Sequence, residues 1–555
     1  FSTSIDKDKI FQGNQLDGQG LKALVEAGLA WLKTNQQLVN SLNVFPVPDG
    51  DTGTNMLLTL QAAYNEIAHS GERNIGKMAH GIAQGALMGA RGNSGVILSQ
   101  LWRGFSRALD NLDTMDPRLF AQALTEAKTT AYKGVVRPVE GTILTVAKDL
   151  AAAAEEAVQS PQDFESLLEI VVNAADESVK HTPELLPILK QAGVVDSGGK
   201  GLFIILEGML RFVRGHSLET AIAAVQPLSM MNLEETLDAV EEGQDYEVVV
   251  DFRPSSPLDL ESFYEELTKM GTSIQVGEGD GMYRMHIHVP TENRYLPIDY
   301  TMTLGTITKV QIENLIAQME DIENSKGGKI QVAAVEPGQV AVVAVSPGAG
   351  ISRIFASLNA NAIVEGGQTM NPSTEEILNA FENMPTDKVV ILPNNKNIVL
   401  AAQTAKTLTV KNVVVIPSTS VPQGLSAMLR LDPSADLELL EEEMNEALKE
   451  VETGEITVAT RSVEINGVDV HEGQVIALLN GKLIGASSSL EEACMSLLNK
   501  AGTDDKERIT IFYGNNIQKN DVNTIVDKIR EAYPNHEIEL HEGGQPHYQF
   551  IFSIE

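Results

Sequence analysis

The segment Asn43-Val-Phe-Pro-Val-Pro-Asp-Gly-Asp-Thr-Gly-Thr-Asn55 lies between two helical patterns and sets two prolines, two aspartates, two glycines and two asparagines within thirteen positions. Pro46 and Pro48 fix their own φ and bias the residues before them toward extended geometry, so the chain is stiff before Asp49 is reached. Gly50 permits a sharp turn, which lets Asp49 and Asp51 point into one pocket. Two carboxylates there repel each other unless a hard cation sits between them. Mg²⁺ suits the pattern, because it takes one or two carboxylates together with waters and substrate phosphate oxygens, and Asn43 and Asn55 offer neutral oxygens. The simpler alternative is that Asp49 and Asp51 cap a helix starting near Thr54, with Gly53 as turn chemistry. A cap needs one short polar residue, so metal-assisted phosphate binding is the favoured reading.

Two further glycine loops flank helices. Gly89-Ala-Arg-Gly-Asn-Ser-Gly95 leads into the apolar run Val96 to Leu101, offering unpaired N–H groups and a positive dipole end to an anion. A tight interhelical turn explains it equally well. Gly193-Val-Val-Asp-Ser-Gly-Gly-Lys-Gly201 again feeds a helix and supplies Asp196. No G-x-x-x-x-G-K-[ST] loop occurs, and Gly18-Gln-Gly20-Leu-Lys-Ala23 follows no strand, so neither common nucleotide fingerprint applies.

Around these loops the pattern is helical from Leu16 to about Val213. Leu21, Leu24, Val25, Leu29 and Leu32 share one helix face, and similar stripes predict helices over Asn55 to Ile67, Ile75 to Leu87, Gly95 to Leu109, Pro117 to Tyr132, Thr142 to Gln159, Asp163 to Lys180 and Gly199 to Val213. The expected organisation is multidomain: an all-α barrel over 12–215, a linker over 216–243, a small α/β middle domain over 244–325 and a C-terminal α/β domain over 326–555. In the middle domain Tyr246 to Phe252, Thr272 to Val276 and Met282 to Val289 read as strands around a helix at Leu258 to Met270. After Ser325 apolar strands alternate with helices, which predicts a parallel sheet. Asp436 to Glu455 holds nine acidic residues at helical spacing and reads as a solvated helix.

His286 and His288 stand two apart in a predicted strand, which puts both rings on one face, as a two-histidine metal or phosphoryl site requires. Two exposed histidines at a strand edge are the simpler alternative. Glu365-Gly-Gly-Gln368 recurs as Glu542-Gly-Gly-Gln545, a repeat too short to establish paired halves. Cys494, the single cysteine, reads as a small buried hydrophobe, excludes an intrachain disulfide and suggests a cytoplasmic setting.

Length and composition bound the rest. The 555 residues suggest about three to five domains. Lys plus Arg total 41 against 76 Asp plus Glu, and the resulting charge of -35 repels phosphate backbones and anionic headgroups. No nucleic-acid partner is expected. No run of eighteen apolar residues and no leader pattern in the first thirty residues occurs, so neither a membrane span nor export is expected. Phe1 to Phe11 reads as a poorly anchored terminus.

At Asn43 to Met56 the chain resembles the signature of the dihydroxyacetone kinase L-subunit family, whose aspartates hold two Mg²⁺ against ATP phosphates. Gly89 to Gln100, Pro138-Val-Glu-Gly-Thr142 and Gly193 to Leu202 also match. The Val-Phe-Pro-Val-Pro form and the additional domains are similar to the ATP-binding subunits of bacterial fatty acid kinases, also grouped as DAK phosphatase family proteins. Glu365 to Thr374, Leu392 to Asn397, Pro422 to Gly424 and Glu542 to Pro546 fit that family too. The resemblance implies an antiparallel helical barrel that binds ATP, a middle domain and a C-terminal α/β domain. It implies a homodimeric kinase that phosphorylates a fatty acid carboxylate presented by a separate DegV-like lipid-binding protein, giving acyl phosphate for phospholipid synthesis.

By the same resemblance Asn43, Asp49 and Asp51 hold Mg²⁺, and Asn55, Gly92, Asn93, Ser94 and Gly95 meet the nucleotide. Thr142, Asp196 and Gly198 close the site. His286 and His288 correspond to two histidines that join a cysteine in a zinc-like site needed for activity. Here the chain departs from the pattern, because Tyr246 to Phe252 contains Glu-Val-Val-Val-Asp and no cysteine. Asp251 is then the acidic neighbour offered as substitute ligand, with the histidines balancing charge on the incoming carboxylate. The rival readings are a kinase of small hydroxylated ketones such as dihydroxyacetone and a nucleotide-binding adaptor without turnover.

Overall fold

Short polar residues open most helices of the first part of the chain. Asp17, Asn74, Asp116, Asp163 and Asp196 each accept a bond from a first-turn backbone N–H. Each thereby satisfies one of the orphan donors that a helix start leaves. In a computed structural model, residues 13–43, 50–135, 137–218, 226–227, 243, 245–279, 282–315, 330–368, 370–459, 463–465, 468–471, 473–503 and 506–555 are described. The expected loose terminus Phe1 to Phe11, Asp49 and nearly all of the expected linker 216–243 lie outside the described residues.

The helices are α1 (Gly18–Thr34), α2 (Gln36–Ser41), α3 (Thr52–Ile67), α4 (Ile75–Met88), α5 (Gly92–Ala108), α6 (Pro117–Gly134), α7 (Ile143–Ala157), α8 (Phe164–Leu185), α9 (Pro187–Ala192) and α10 (Ser197–Val213). From α3 to α8 each long helix packs on the next, α8 packs on α10, and α10 returns to α1, which also touches α3 and α4. The apolar stripes read from the sequence face one shared core that includes Trp31, Leu60, Ile82, Val146 and Ile204. Burial of each such side chain stabilises the fold by about 1.5–3 kcal/mol. Gly208 is required where α10 meets α1, since a Cβ there would lie 2.5 Å from Cβ of Trp31.

Three helices start earlier than the spacing predicts. α3 begins at Thr52, α5 at Gly92 and α10 at Ser197. The glycines that read as loop form the first turns of these helices, so the glycine loops and the helix starts are the same residues.

The middle region is a five-stranded sheet in the order β1-β3-β4-β2-β5. Its strands are β1 (Gln226–Pro227), β2 (Tyr246–Pro254), β3 (Thr272–Gly279), β4 (Met282–Val289) and β5 (Gly305–Asn314). Val248, Val250, Phe252, Met285 and Ile287 face α11 (Leu260–Thr268) in an apolar core. A helix α12 (Leu296–Leu304) and β5 extend the region beyond the predicted strands. β4 lies between β3 and β2 rather than at an edge, and His286 and His288 are 0% and 1% exposed. The expectation of exposed edge histidines is thereby corrected.

The C-terminal part begins with the predicted alternation. β6 (Val340–Ser346), β7 (Ala362–Glu365), β8 (Lys388–Leu392) and β9 (Asn412–Val415) form a parallel sheet in the order β7-β6-β8-β9. Between them run α13 (Ala349–Ser357), α14 (Thr374–Glu382) and α15 (Val399–Thr407), followed by α16 (Val421–Met428) and α17 (Leu437–Ala447). The acidic stretch 436–455 is helical only at its start. Glu452 to Glu455 belong to β10 (Glu452–Val458), where pairing on both sides outweighs the helical spacing.

Past a two-stranded ribbon of β11 (Val463–Ile465) and β12 (Val468–Val470), β10 joins β13 (Val475–Leu479), β14 (Lys482–Ser487), β15 (Arg508–Tyr513), β16 (Glu537–Glu542) and β17 (Phe550–Ile554) in a six-stranded mixed sheet. The two Glu-Gly-Gly-Gln copies follow or overlap the ends of β7 and β16, and both glutamines, Gln368 and Gln545, line a cavity of about 250 Å³. Gly350 donates its N–H to the carbonyl of Gly543 at 3.0 Å, an approach that a Cβ on Gly350 would block. Cys494 is fully buried, as expected of a small hydrophobe, and burial raises its thiol pKa.

Candidate nucleotide site and histidine cluster

Asp51 stands at the N-cap of α3, but its side chain makes no capping bond. The simpler expectation of a plain helix cap therefore fails at Asp51. It is 6% exposed and follows Gly50, whose φ of +55° is the left-handed turn expected of it. Asn43 Nδ2 lies 3.5 Å from Asp51 Oδ1. At this point the asparagine faces the carboxylate as a donor. Asp49, the other expected cation ligand, lies outside the described residues.

The starts of α5 and α10 meet that of α3, and the start of α7 meets that of α10. Gly92 has φ +56°, and a Cβ on it would lie 2.7 Å from Asn55 Nδ2, so glycine keeps the first turn of α5 open beside the buried Asn55. A Cβ on Gly95 would fall 2.3 Å from Thr59 Oγ1, which seats α5 closely on α3. Ser197 Oγ donates to Thr52 Oγ1 at 3.1 Å and ties α10 to α3. Gly198 is built against Ile143, the first residue of α7. The starts of α5 and α10 thus touch the start of α3 that carries Asp51, the start of α7 touches that of α10, and helix N–H groups and dipoles at such ends favour an anion.

The remaining predicted residues divide by what their side chains already do. Thr142 caps α7 by accepting from Leu144 N–H at 3.3 Å and donates to the Val139 carbonyl at 2.7 Å. Asp196 Oδ2 accepts from Gly199 N–H at 2.6 Å, and burial raises its carboxyl pKa to about 6 against the pull of the Gly199 and Ile143 N–H groups. Ser94 is half-buried in the first turn of α5. Asn93 is exposed and donates to Asn397 Oδ1 at 3.4 Å. Asn397 belongs to the C-terminal region, which therefore reaches the glycine loop Gly89 to Gly95.

That reach extends further. Thr374 N–H donates to the Ala90 carbonyl at 3.1 Å, and Arg91 and Ser373 form an antiparallel bridge. Arg91 Nη1 donates to the Asn371 carbonyl at 3.1 Å and pairs with Glu376 Oε2 at 3.1 Å. Asn371 Nδ2 donates to Asp51 Oδ2. Asn371 and Arg91 carried no role in the sequence reading, because 320 residues separate Asn371 from its partner. The donor set fits a hydrated Mg²⁺ with phosphate: a carboxylate not used as a cap, asparagines beside it and a glycine cradle that a Cβ would fill.

The second cluster is built on strands. Glu247 is paired with His288 across β2 and β4, and His286 follows two residues earlier on the same face. His286 Nδ1 donates to the Ser273 carbonyl at 3.1 Å, and its Nε2 lies 2.7 Å from Glu247 Oε1. The two rings meet at 4.9 Å between centroids. Both ring nitrogens of His288 are buried without a hydrogen-bond partner among the described residues, and burial, aided by His286, lowers its pKa to about 4.

Ligand atoms of Glu247, His286 and His288 lie within 4.8 Å of one another. Two imidazoles, one of them the orphaned neutral His288, and one carboxylate fit a zinc-type cation. Asp251 is not the third member. It forms a two-pronged pair with Arg284, at 2.7 and 2.8 Å. Alternation already put Glu247 and Asp251 on one face, but only the register of β2 against β4 selects Glu247.

Residues 46–211 match the DAK2 domain family, residues 243–322 the FakA-like middle-domain family of fatty acid kinases, and residues 341–555 the FakA-like C-terminal family. The chain belongs to the FakA-like fatty acid kinase family. Over 551 residues it is 37% identical to an uncharacterized protein of Staphylococcus aureus, covering 98% of this chain and 100% of that one. A relative from Staphylococcus epidermidis, also uncharacterized, is 38% identical over 552 residues with the same coverage. Among solved structures the chain is similar to a DegV family protein from Corynebacterium glutamicum (TM-score 0.31, 16% identity, 39% of this chain and 96% of that one). It is similar to a fatty-acid-binding DegV family protein from Thermus thermophilus (TM-score 0.30, 14% identity, 39% and 99%). Among the described residues no helix is long and apolar enough to cross a membrane.

Proposed function

We propose that this chain is the ATP-binding, phosphoryl-transferring component of a fatty acid kinase, acting on a fatty acid carboxylate presented by a DegV-like lipid-binding protein. The observation that carries the reading is Asp51, an aspartate that makes no capping bond at a helix start touched by the starts of α5 and α10. Asp51, with Asp49 and Asn43, holds Mg²⁺; Gly92, Asn93, Ser94, Gly95 and Asn55 receive the phosphates, and Thr142, Asp196 and Gly198 close the far wall. When bound, Mg²⁺ neutralises charge on the phosphate oxygens. The closed circuit of helices supports an antiparallel barrel, and the functional form is a cytoplasmic homodimer.

A carboxylate oxygen attacks the γ-phosphorus, the bond from that phosphorus to the bridging β–γ oxygen breaks, and ADP leaves as acyl phosphate forms. The acceptor is already ionised at neutral pH, so no general base is needed. What the chain supplies is positioning and oriented N–H groups. The charge of -35 opposes the approach of a free anionic fatty acid, which favours delivery by a docked carrier. Glu247, His286 and His288 act as a second, zinc-type centre that balances charge on the incoming carboxylate.

The test is Mg²⁺-dependent ATP consumption by the full chain, with and without an oleate-loaded DegV-like protein, alongside Asp49→Ala and Asp51→Ala. Stimulation by the loaded carrier, lost in both variants, is the expected result. Stimulation by dihydroxyacetone with a suitable partner and none by the carrier would overturn the acceptor, and carrier binding without turnover would favour the adaptor.

A further inference from the structure

We propose that the C-terminal α/β region completes the nucleotide site, with Asn371 as the positioning residue that orients Asp51 toward the cation. The inference rests on the function proposed above. Asn371 is 4% exposed, and its Nδ2 donates to Asp51 Oδ2 while its Oδ1 is buried without a partner among the described residues. A buried amide oxygen left unmet is costly, so an unpaired one beside a cation-binding carboxylate marks a place for an incoming group. A carboxylate offers about four acceptor positions, so the bonds from Asn371 and Asn43 do not fill it.

Docking of the two regions does not need this side chain. The Thr374 to Ala90 bond, the Arg91 to Glu376 pair and the bond from Arg91 to the Asn371 carbonyl already hold the segment Asn371 to Glu376 against the glycine loop Gly89 to Gly95. That segment is itself stiffened by Ser373, which forms a reciprocal cap with Glu376 at the start of α14. A Cβ on Gly92 would lie 3.5 Å from Asn371 Nδ2, so the amide stands against the same open turn as Asn55. Placement by backbone bonds, with the polar head turned to Asp51, is how a positioning residue is held.

The test uses the full chain and calorimetric titration of ADP in Mg²⁺ and in EDTA, together with thermal melts in both. Asn371→Ala is expected to reduce the Mg²⁺-dependent gain in ADP affinity by about tenfold to a hundredfold while leaving affinity in EDTA unchanged. Asn371→Asp is expected to melt lower than wild type in EDTA, because two carboxylates then face each other, and to recover more on adding Mg²⁺ than Asn371→Ala does. Wild-type Mg²⁺-dependent gain in both variants, even with lowered melting, would reduce Asn371 to interdomain packing and overturn the inference. Asp51→Ala separates the two levels. If it abolishes the gain while Asn371→Ala does not, only this inference falls; if it too leaves the gain intact, the nucleotide site itself is misassigned.

Discussion

The aspartate loop and the histidine cluster are both candidate cation sites, yet they are built in opposite ways. Asp51 sits at a junction of helix N-terminal ends, where backbone N–H groups and glycine-lined space favour phosphate. Glu247, His286 and His288 sit on paired strands with 7%, 0% and 1% exposure, and there each polar atom must find its partner inside the protein. On the function proposed above, the first site admits and releases a charged ligand and the second keeps one ion in place, so loss of function is the expected signature of damage at the first and loss of stability that at the second.

The sharpest break of that contrast is Asp51→Ala. Mg²⁺-dependent ATP consumption should fall by about a thousandfold or more, while the melting temperature without nucleotide stays within a few degrees of wild type. A large loss of stability would show that Asp51 is structural and erase the difference.

Glu247→Ala should behave in the other sense. Removing one partner of a buried pair costs about 3–5 kcal/mol, read as a lower melting temperature in the full chain. The same cluster should bind about one zinc per chain by elemental analysis, and chelation should lower the melting temperature of wild type but not of His288→Ala. Equal melting of chelated and untreated wild type would remove zinc from the account.

The two sites also respond to pH with opposite sign. In the chelated, metal-free chain His288 has its pKa depressed to about 4, so the unfolded chain binds the extra proton between about pH 6.5 and 4. Its contribution, about 3 kcal/mol, is present above that window and is lost as pH falls through it. Asp196 has its pKa raised to about 6, so the folded chain holds the extra proton and this site loses stability as pH rises toward 6. His288→Gln should flatten the acid limb of a stability-versus-pH profile, and Asp196→Asn should remove the opposing slope. A His288→Gln profile identical to wild type would mean that the ring is not dry.

The smallest effect is expected at Asn93. Its amide is exposed and holds Asn397 through a 3.4 Å bond, so Asn93→Ala should change stability by less than about 0.5 kcal/mol. A fall in ADP affinity at unchanged melting temperature would place Asn93 on the nucleotide.

Much of the architecture was legible from residue order. Stripes such as Leu21, Leu24, Val25 and Leu29 specify helices because one apolar face must be buried, and the alternation from Val340 to Ile416 specifies strands for the same reason. The turns at Gly50 and Gly92 were equally legible, since the need for φ > 0 at Gly50 and for an absent side chain at Gly92 selects glycine locally. Glu452 to Glu455 misled, because their helical spacing gave way to pairing with β13 and β17. Asp251 misled for a related reason, as it shares a face with Glu247 and differs from it only in what lies across the strand.

By itself, then, the order of residues determined the helical region, the alternating α/β region and the glycine turns at Gly50 and Gly92, all of which rest on interactions within a few positions along the chain. Tertiary structure alone decided that Glu247 joins the histidines, that both Glu-Gly-Gly-Gln copies reach one cavity and that Asn371 meets Asp51. These are matters of register and docking between distant segments, set by the summed burial and pairing of whole elements, and no local pattern encodes them.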